Sequence, residues 1–411
     1  MRPRSADITL VRINASSLSF VVPPPSEIGW KLSLESAPQI TTPPKDMCDG
    51  FPAAVAHSLM IFCDPQTLAP DPGRSFSDIP GQLYFGPGLH DLNGQMPLPA
   101  NVSSVYIAGG AWLSGGFITT GATSTVKISG RGVISGSIQP FLKDPAGFAP
   151  CSYNGSYCWS LVNLDKGSGH VLEGVVLHDP PKYYFRSYAR GIAVRGVKML
   201  GAWTYNTDGV VTGAAGQVTD SFIQSNDDSI KLFADGMVVT DCTVWQMNNG
   251  GVFQLGWWSS HDQSNITVER VTLIHAGWKL SPGGDWDATH AQNDAVFDLR
   301  GPGGGTPDPS KSGDYAIHNI TWRDITIDSA VQGGGLVRLD LVNATGSIAG
   351  LRFERVSVPN AMGSSVVVDK AKAQDVSGLQ FVDLKVGGVC VKDGKAAGFG
   401  SSGHAATFVC T

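Results

Sequence analysis

Three aspartates carry the chemistry that this sequence suggests. Asp208 ends an Asn-Thr-Asp triplet, and Asp227 and Asp228 end an Asn-Asp-Asp triplet 19 and 20 residues later. That interval is close to the period of the surrounding repeat, so a solenoid would stack the three carboxylates on neighbouring coils. Paired carboxylates that leave room for a water molecule hydrolyse glycosidic bonds with inversion. The three aspartates are therefore candidate catalytic residues.

The spacing also predicts different roles for the carboxyl groups. Residues one coil apart lie about 5 Å apart along a parallel sheet, and a lateral offset would widen the carboxyl separation to the roughly 6.5–9.5 Å of inverting enzymes. Crowded like charges raise at least one pKa, which favours a protonated acid beside an ionised base. Asn206, Asn226 and Lys231 would tune them. The alternative is that these aspartates only cap strands and turns.

Polar and aromatic residues further along would line the same face. Aromatic rings stack on sugar rings, while amides and carboxylates bind hydroxyls. One of the adjacent indoles of Trp257 and Trp258 should point into the core, and His275 either binds a sugar hydroxyl or satisfies a core amide. The candidate substrate-binding residues are Asn206, Asn226, Lys231, Asn249, Gln254, Trp257, Trp258, His275, Trp278, Asn293 and Asp294.

A repeated apolar pattern must position these residues. Its units begin at Leu172, Val194, Val218, Val239, Val268, Trp322, Phe353 and Phe381, 21 to 31 residues apart except for one step of 54. We interpret the long step as two coils of 27. Short β-branched strands at this period predict an all-β solenoid. Strands between Pro-rich turns predict a small antiparallel domain in residues 1–75, followed by the solenoid in 76–411.

Composition excludes several classes of protein. The chain has 411 residues, 42% hydrophobic and 16% charged, with 51 glycines, which is typical of a globular, turn-rich protein. The net charge of −6 makes nucleic acid a poor partner. No apolar run approaches the roughly 18 residues of a membrane span. We expect a monomer with no membrane association.

Cysteines and sequons bear on the compartment. The seven cysteines include no CxxC pair, so we expect no zinc site. We also expect no cofactor. Cys242 is predicted to be a buried free thiol, and the pairs Cys151/Cys158 and Cys390/Cys410 to be short-loop disulfides. The first residues lack a signal sequence. Even so, the cysteines and six sequons predict an extracellular glycoprotein whose true N-terminus is missing here. The sequons are Asn14, Asn101, Asn154, Asn265, Asn319 and Asn343.

The two aspartate motifs resemble two related groups of β-helix glycosidases: glycoside hydrolase family 49, the dextranases and isopullulanase, and the family 28 polygalacturonases. Polygalacturonases follow the motifs with Gly-His-Gly and Arg-Ile-Lys, and neither occurs here. Asn249-Gly250-Gly251 stands in place of the first. The segments 250–258, 293–297, 85–88 and 105–112 resemble family 49, within a likeness that covers roughly residues 80–330.

The resemblance implies a right-handed parallel β-helix preceded by a β-sandwich, and metal-free hydrolysis of α-glucan with inversion. By motif position it implies Asp227 as the general acid, with Asp208 and Asp228 holding the nucleophilic water. Residues 1–75 are too few for a full sandwich, so we expect an incomplete one.

The leading functional hypothesis is endo-hydrolysis of the α-1,6 linkages of dextran, with an isopullulanase-type α-glucan hydrolase as the alternative. A polyuronide hydrolase of the polygalacturonase type is disfavoured, because a uronate needs a clustered cationic partner. A lyase would need calcium or a basic residue at the site. A non-catalytic carbohydrate-binding solenoid is opposed by the spacing of the three aspartates.

Overall fold

The structure is a computed structural model that contains only β-strands in the part of the chain it describes. Among those residues no helix is long and apolar enough to cross a membrane. The chain divides into two compact units, Met1–Ser75 with Ser281–Gly284, and Phe76–Leu280 with Asp285–Thr411. The described residues are 9–13, 18–21, 30–34, 61–65, 80–121, 125–137, 160–201, 207–247, 249–256, 262–276, 295–300, 316–328, 335–340, 347–359, 367–369, 376–394 and 406–411.

The smaller unit contains two antiparallel strand pairs. Strand β1 (Thr9–Ile13) pairs with β2 (Leu18–Val21), and β3 (Trp30–Leu34) pairs with β4 (Ile61–Pro65). Antiparallel strands at the front of the chain agree with the sequence pattern. That they form a β-sandwich, complete or incomplete, stays a prediction.

The larger unit is one continuous sheet of 29 strands. Its strands in chain order are β5 (Gln82–Phe85), β6 (Gly88–Pro97), β7 (Ser104–Ile107), β8 (Ala111–Ile118), β9 (Lys127–Gly130), β10 (Val133–Ser135), β11 (Ser160–Asn163), β12 (Val171–Glu173), β13 (Val176–His178), β14 (Tyr183–Arg186), β15 (Ala193–Arg195), β16 (Lys198–Leu200), β17 (Val210–Val211), β18 (Gln217–Thr219), β19 (Phe222–Ser225), β20 (Ile230–Lys231), β21 (Val238–Thr240), β22 (Thr243–Gln246), β23 (Phe253–Gly256), β24 (Gln263–Ala276), β25 (Ala295–Arg300), β26 (Ile317–Ile327), β27 (Gly335–Asp340), β28 (Ile348–Val358), β29 (Val367–Asp369), β30 (Val376–Val382), β31 (Lys385–Val386), β32 (Val389–Cys390) and β33 (Ala406–Val409).

Each strand pairs in parallel with the strand one coil away, which is the pairing of a β-helix; the short antiparallel pair β31–β32 is an exception. The coils present three faces, which we call sheets A, B and C. In one coil, β18 belongs to sheet A, β19 to sheet B and β20 to sheet C. The predicted parallel β-helix is confirmed, whereas its right hand stays a prediction.

Alternation along each strand places one apolar side chain per coil inside the helix. Leu172, Val194, Val218 and Val239 stack in register and are fully buried. Later coils place aromatic rings inside: Phe353 stacks on Trp322 at a centroid distance of 4.8 Å and on Phe381 at 4.8 Å. The repeat seen in the sequence is therefore the row of inward residues on sheet A.

The step of 54 residues is one coil and not the two that the sequence suggested. Val268 of β24 pairs directly with Trp322 of β26. Strand β25, which contains Phe297, is the sheet C strand of that same coil, because it pairs with β23 and β27. The coil is long because residues 277–294 and 301–315 are inserted on either side of β25.

Sheets A and B meet at a corner where one residue per coil has a positive φ. In the later coils this residue is charged, and its charge alternates: Arg270 pairs with Asp241 through two hydrogen bonds of 2.7 and 2.9 Å, and Arg355 pairs likewise with Asp324 at 2.6 and 2.8 Å. Aspartate tolerates this left-handed conformation, and each arginine is held in it by its bidentate partner.

The described cysteines follow the prediction. Cys390 and Cys410 form a disulfide across 20 residues, and Cys242 is a buried free thiol whose pKa burial raises to about 12. The predicted Cys151/Cys158 disulfide lies outside the described residues. Among the sequons, Asn319 donates a hydrogen bond of 2.7 Å to Asn265 on the neighbouring coil, and Asn101 is exposed in a turn.

Candidate active site

The candidate site lies where three successive coils pass from sheet B to sheet C. Val210 of β17 pairs with Ile230 of β20. Because Asp208 and Asp228 each lie two residues before these paired positions, they stack on neighbouring coils. Thr207 also forms a bridge with Asn226, which fixes the two connections to each other.

The structure brings the three aspartates together. One carboxylate oxygen from each lies within 4.8 Å of the other two. Asp208 and Asp228 are buried, whereas Asp227 is partly exposed.

Lys231 lies between two of the three carboxylates. Its Nζ atom is 2.7 Å from Asp208 Oδ1 and also contacts Asp228 Oδ2. The ammonium packs against the rings of Tyr183 and Phe233, 5.5 and 5.4 Å from their centroids. Burial opposes its charge, but Asp208 and Asp228 outweigh burial and hold the pKa of Lys231 well above its ordinary value. Lys231 therefore stays protonated and neutralises part of the acidic cluster.

Asp227 has different neighbours. Its two carboxyl oxygens accept hydrogen bonds from neutral donors, the backbone N–H of Asp228 at 2.8 Å and the Asn249 side chain at 2.7 Å. Burial and the charges of Asp208 and Asp228 raise the pKa of Asp227 well above its ordinary value. A carboxyl group in this position stays protonated at a pH where an ordinary aspartate is ionised.

Asp208 experiences opposing effects. Burial raises the pKa of Asp208, Lys231 lowers it, and the charge of Asp228 raises it. The resulting pKa is above the ordinary value, but less far above it than the pKa of Asp227. Asp228 is held on both oxygens, by the Gly251 N–H at 2.8 Å and by Lys231. The cluster thus separates one proton-holding carboxyl group from two that share an ammonium.

Two glycines let the backbone approach the cluster. A Cβ atom on Gly250 would lie 2.3 Å from the Asp228 nitrogen, and one on Gly209 would lie 2.1 Å from the Ser229 carbonyl oxygen. Gly250 also has a φ of +78°. Any side chain at these positions would push apart the coils that carry the carboxylates.

The remaining predicted site residues differ in what they contact. Asn226 is buried beside the aspartates, and Gln254 is buried one coil beyond Lys231, where its amide donates to the Leu255 carbonyl oxygen at 2.8 Å. His275 Nδ1 lies 2.8 Å from the Gln246 carbonyl oxygen, and its ring stacks on Trp245. Asn206, Trp257, Trp258, Trp278, Asn293 and Asp294 lie outside the described residues.

Sequence reasoning did not commit to three residues that contact the cluster or shape its field. Tyr183 packs on Lys231. The ammonium of Lys182 lies 5.9 Å from the Tyr183 ring centroid, and burial lowers the pKa of Lys182 against the raising effect of Asp208 and Asp227. Gln246 bonds to the backbone of Asp227. The period of the repeat is the signal that indicates Gln246, because Gln246 pairs with Ser225 on the preceding coil.

The three carboxylates are also close enough together to bind a metal ion. Lys231 already supplies a positive charge to two of them. The chain's own ammonium group therefore neutralises part of this donor set.

Two known proteins are similar in sequence to this chain. The chain is 26% identical over 322 residues to a dextranase from Arthrobacter globiformis, covering 67% of this chain and 50% of that protein. It is 24% identical over 386 residues to an isopullulanase from Aspergillus niger, covering 87% of this chain and 66% of that protein.

The chain is a homologue of dextranases and of isopullulanase. The resemblance to glycoside hydrolase family 49 is thereby confirmed, although no protein-family model matches the chain. A solved structure, Dex49A from Penicillium minioluteum, superposes on all of this chain and 78% of its own with a TM-score of 0.64 at 17% identity, which supports the same fold. The chain spans about half the length of the dextranases that it matches.

Proposed function

We propose that this protein is a glycoside hydrolase that cleaves the α-1,6 linkages of dextran within the chain and inverts the anomeric centre. The observation that carries the proposal is the division of the cluster: Asp227 is bonded to neutral donors, whereas Asp208 and Asp228 share the ammonium of Lys231. The names of the homologues, dextranase and isopullulanase, supply the substrate class.

Asp227 acts as the general acid in this proposal. It is the partly exposed carboxyl group of the three, so it is the one that a glycosidic oxygen reaches first. Its raised pKa keeps the proton available until the leaving oxygen needs it. The proton passes from the Asp227 carboxyl to the oxygen of the departing glucan.

Asp208 and Asp228 act together on water. Both oxygens of Asp228 are already hydrogen-bonded or ion-paired, which makes it a poor covalent nucleophile. A water molecule held by the two carboxylates loses a proton to one of them as it attacks the anomeric carbon.

Two related substrates are the alternatives. An isopullulanase-type hydrolase uses the same carboxylates on another α-glucan, and the homologue from Aspergillus niger favours it. A polyuronide hydrolase needs cations for each substrate carboxylate. Lys231, the cation nearest the aspartates, is already paired with two of them, which disfavours that substrate.

Purified protein tests the proposal on dextran, pullulan and polygalacturonate, with release of reducing sugar as the readout. We expect dextran to be cleaved, and proton NMR of the first products to show the β-anomer, since the linkage in dextran is α. Asp227→Asn should lower the rate by about 10²–10⁴-fold. A full rate for this variant, or initial α-anomer, would overturn the acid assignment or the inversion respectively.

We also infer an extracellular location. The Cys390–Cys410 disulfide supports an oxidising compartment, as do the sequons. The division into 1–75 and 76–411, the monomeric state and the lack of nucleic-acid or membrane partners belong to the same proposal. Size-exclusion chromatography with light scattering tests the monomer.

A further inference from the structure

Gln246 has every polar atom of its side-chain amide occupied at the site. It is the last residue of β22 and is fully buried. Its Nε2 atom donates to the carbonyl oxygens of Asp227 at 3.1 Å and of Asn249 at 2.5 Å. Its Oε1 atom accepts a hydrogen bond from the Ser229 hydroxyl. Carbonyl oxygens only accept, so the orientation of this amide is fixed by its partners.

These contacts close a ring around the proposed acid. Gln246 ties the backbone of Asp227 to the backbone of Asn249, and the Asn249 side chain returns to Asp227 Oδ2 at 2.7 Å. The Ser229 hydroxyl links the ring to the strand that carries Lys231, and Ser225 lies 2.6 Å from Ser229. The ring therefore joins the acid, its neutral partner and the coil of the water-binding carboxylates.

The backbone of Gln246 is itself held from the next coil. The Gln246 carbonyl oxygen accepts a hydrogen bond of 2.8 Å from His275 Nδ1, which must therefore carry the proton. The His275 ring stacks on Trp245, 5.5 Å between centroids. His275 thus supports the position of Gln246, and a contact with a sugar hydroxyl, the other role that the sequence suggested for His275, stays a prediction.

We infer that Gln246 is a positioning residue that holds the Asp227 carboxyl group in line with the leaving oxygen. This inference rests on the proposed function. Proton transfer needs the acid within hydrogen-bond reach of that oxygen, and a displacement of about 1 Å costs about 10²-fold in rate. Gln246 is fully buried, so its own side chain does not bind the substrate directly.

The test compares two substrates that differ in their need for an acid. Dextran has an alcohol leaving group that must be protonated, whereas α-isomaltotriosyl fluoride releases fluoride, a weak base that leaves without much assistance. We expect Gln246→Met to lower kcat on dextran by about 10²-fold with KM within about threefold, and to change the rate on the fluoride by less than about threefold. A disturbed fold would lower both rates together.

Gln95 provides a matched control. It is also a buried glutamine whose Nε2 atom donates to two backbone carbonyl oxygens, those of Ser160 at 2.6 Å and Phe117 at 3.4 Å, in a coil near the front of the helix. Gln95→Met removes the same kinds of bond far along the chain from Asp227. Both of its rates should stay within about threefold of wild type.

Asp227→Asn separates this inference from the proposed function. If the variant loses dextran hydrolysis and keeps fluoride hydrolysis, Asp227 is the acid whatever Gln246 does. If Gln246→Met is folded, equal losses on both substrates, or no loss on dextran, would then overturn the positioning role alone. If Gln246→Met does not fold, Gln246→Glu is measured in the same way. Glutamate has the same side-chain volume and can still accept the hydrogen bond from Ser229, but its second oxygen would face the two carbonyl oxygens and repel them.

Discussion

Replacing Lys231 by methionine removes the ammonium that Asp208 and Asp228 share. Nζ lies 2.7 Å from Asp208 and contacts Asp228, and all three side chains are buried. Removing one partner of a buried ion pair costs about 3–5 kcal/mol, because the remaining charges stay uncompensated. Methionine retains the apolar contacts with Tyr183 and Phe233, so the electrostatic loss should dominate.

The sign of the pH dependence follows from Asp208. Burial already raises the pKa of Asp208 and Lys231 lowers it, so without Lys231 this pKa rises further in the folded protein. A group with a raised folded pKa contributes stability that is lost as pH rises through that pKa. The deficit of Lys231→Met should therefore be largest near neutral pH and shrink at about pH 4, where the Asp208 carboxyl group binds a proton.

Urea unfolding at the two pH values and a pH–rate profile on dextran measure these effects. The acidic limb of the profile should move to higher pH, because Asp208 must be ionised to hold the water molecule. Lys127→Met is the control, since Lys127 pairs with Glu173 at 3.1 Å on the surface and such pairs contribute about 0–1 kcal/mol. An equal deficit at both pH values, or an unmoved acidic limb, would refute the shared-ammonium reasoning.

Three further predictions concern the acid, the core and the disulfide. Asp227→Asn should unfold at a higher urea concentration than wild type at pH 7.5 but not at pH 4. The raised pKa of Asp227 means that ionising it destabilises the folded protein, and asparagine cannot ionise. An unchanged urea midpoint at pH 7.5 contradicts this. Phe353→Ala should lower the free energy of unfolding by about 3–5 kcal/mol in urea titration, since the ring is buried between stacked neighbours; a loss below about 1 kcal/mol would show that the column closes over the gap. Replacing Cys390 and Cys410 by serine should cost about 3 kcal/mol, as expected for the entropy of a loop of this length; an unchanged melting temperature would count against it.

The fold was largely readable from the sequence because one apolar residue per coil must face the interior. Leu172, Val194 and Val218 mark that row without ambiguity. The coil containing Val268 was misjudged, since Phe297 in an intervening strand resembles the start of another unit. Apolar periodicity reports which residues face inward, but it does not report which of three faces they belong to.

The sequence predicted which residues form the candidate site better than it predicted which groups those residues contact. Equal spacing along the repeat brings Asp208 and Asp228 together once the period is known. The partners of each carboxyl group depend on the direction of side chains in the connections between sheets, which no periodicity fixes. For that reason Lys231 was recognised only as a tuning residue, and Gln246 was not selected.

The alternating charges at the corner between sheets A and B act against errors of winding. Coils of similar sequence can mispair if one of them is looped out and its neighbours join. Skipping the coil of Arg270 would place Asp241 opposite Asp324, and skipping that of Asp324 would place Arg270 opposite Arg355. Like charges directly opposite each other are destabilising. Each of these mispaired arrangements should therefore be less stable than the native pairing, so the corner charges favour the native number of coils.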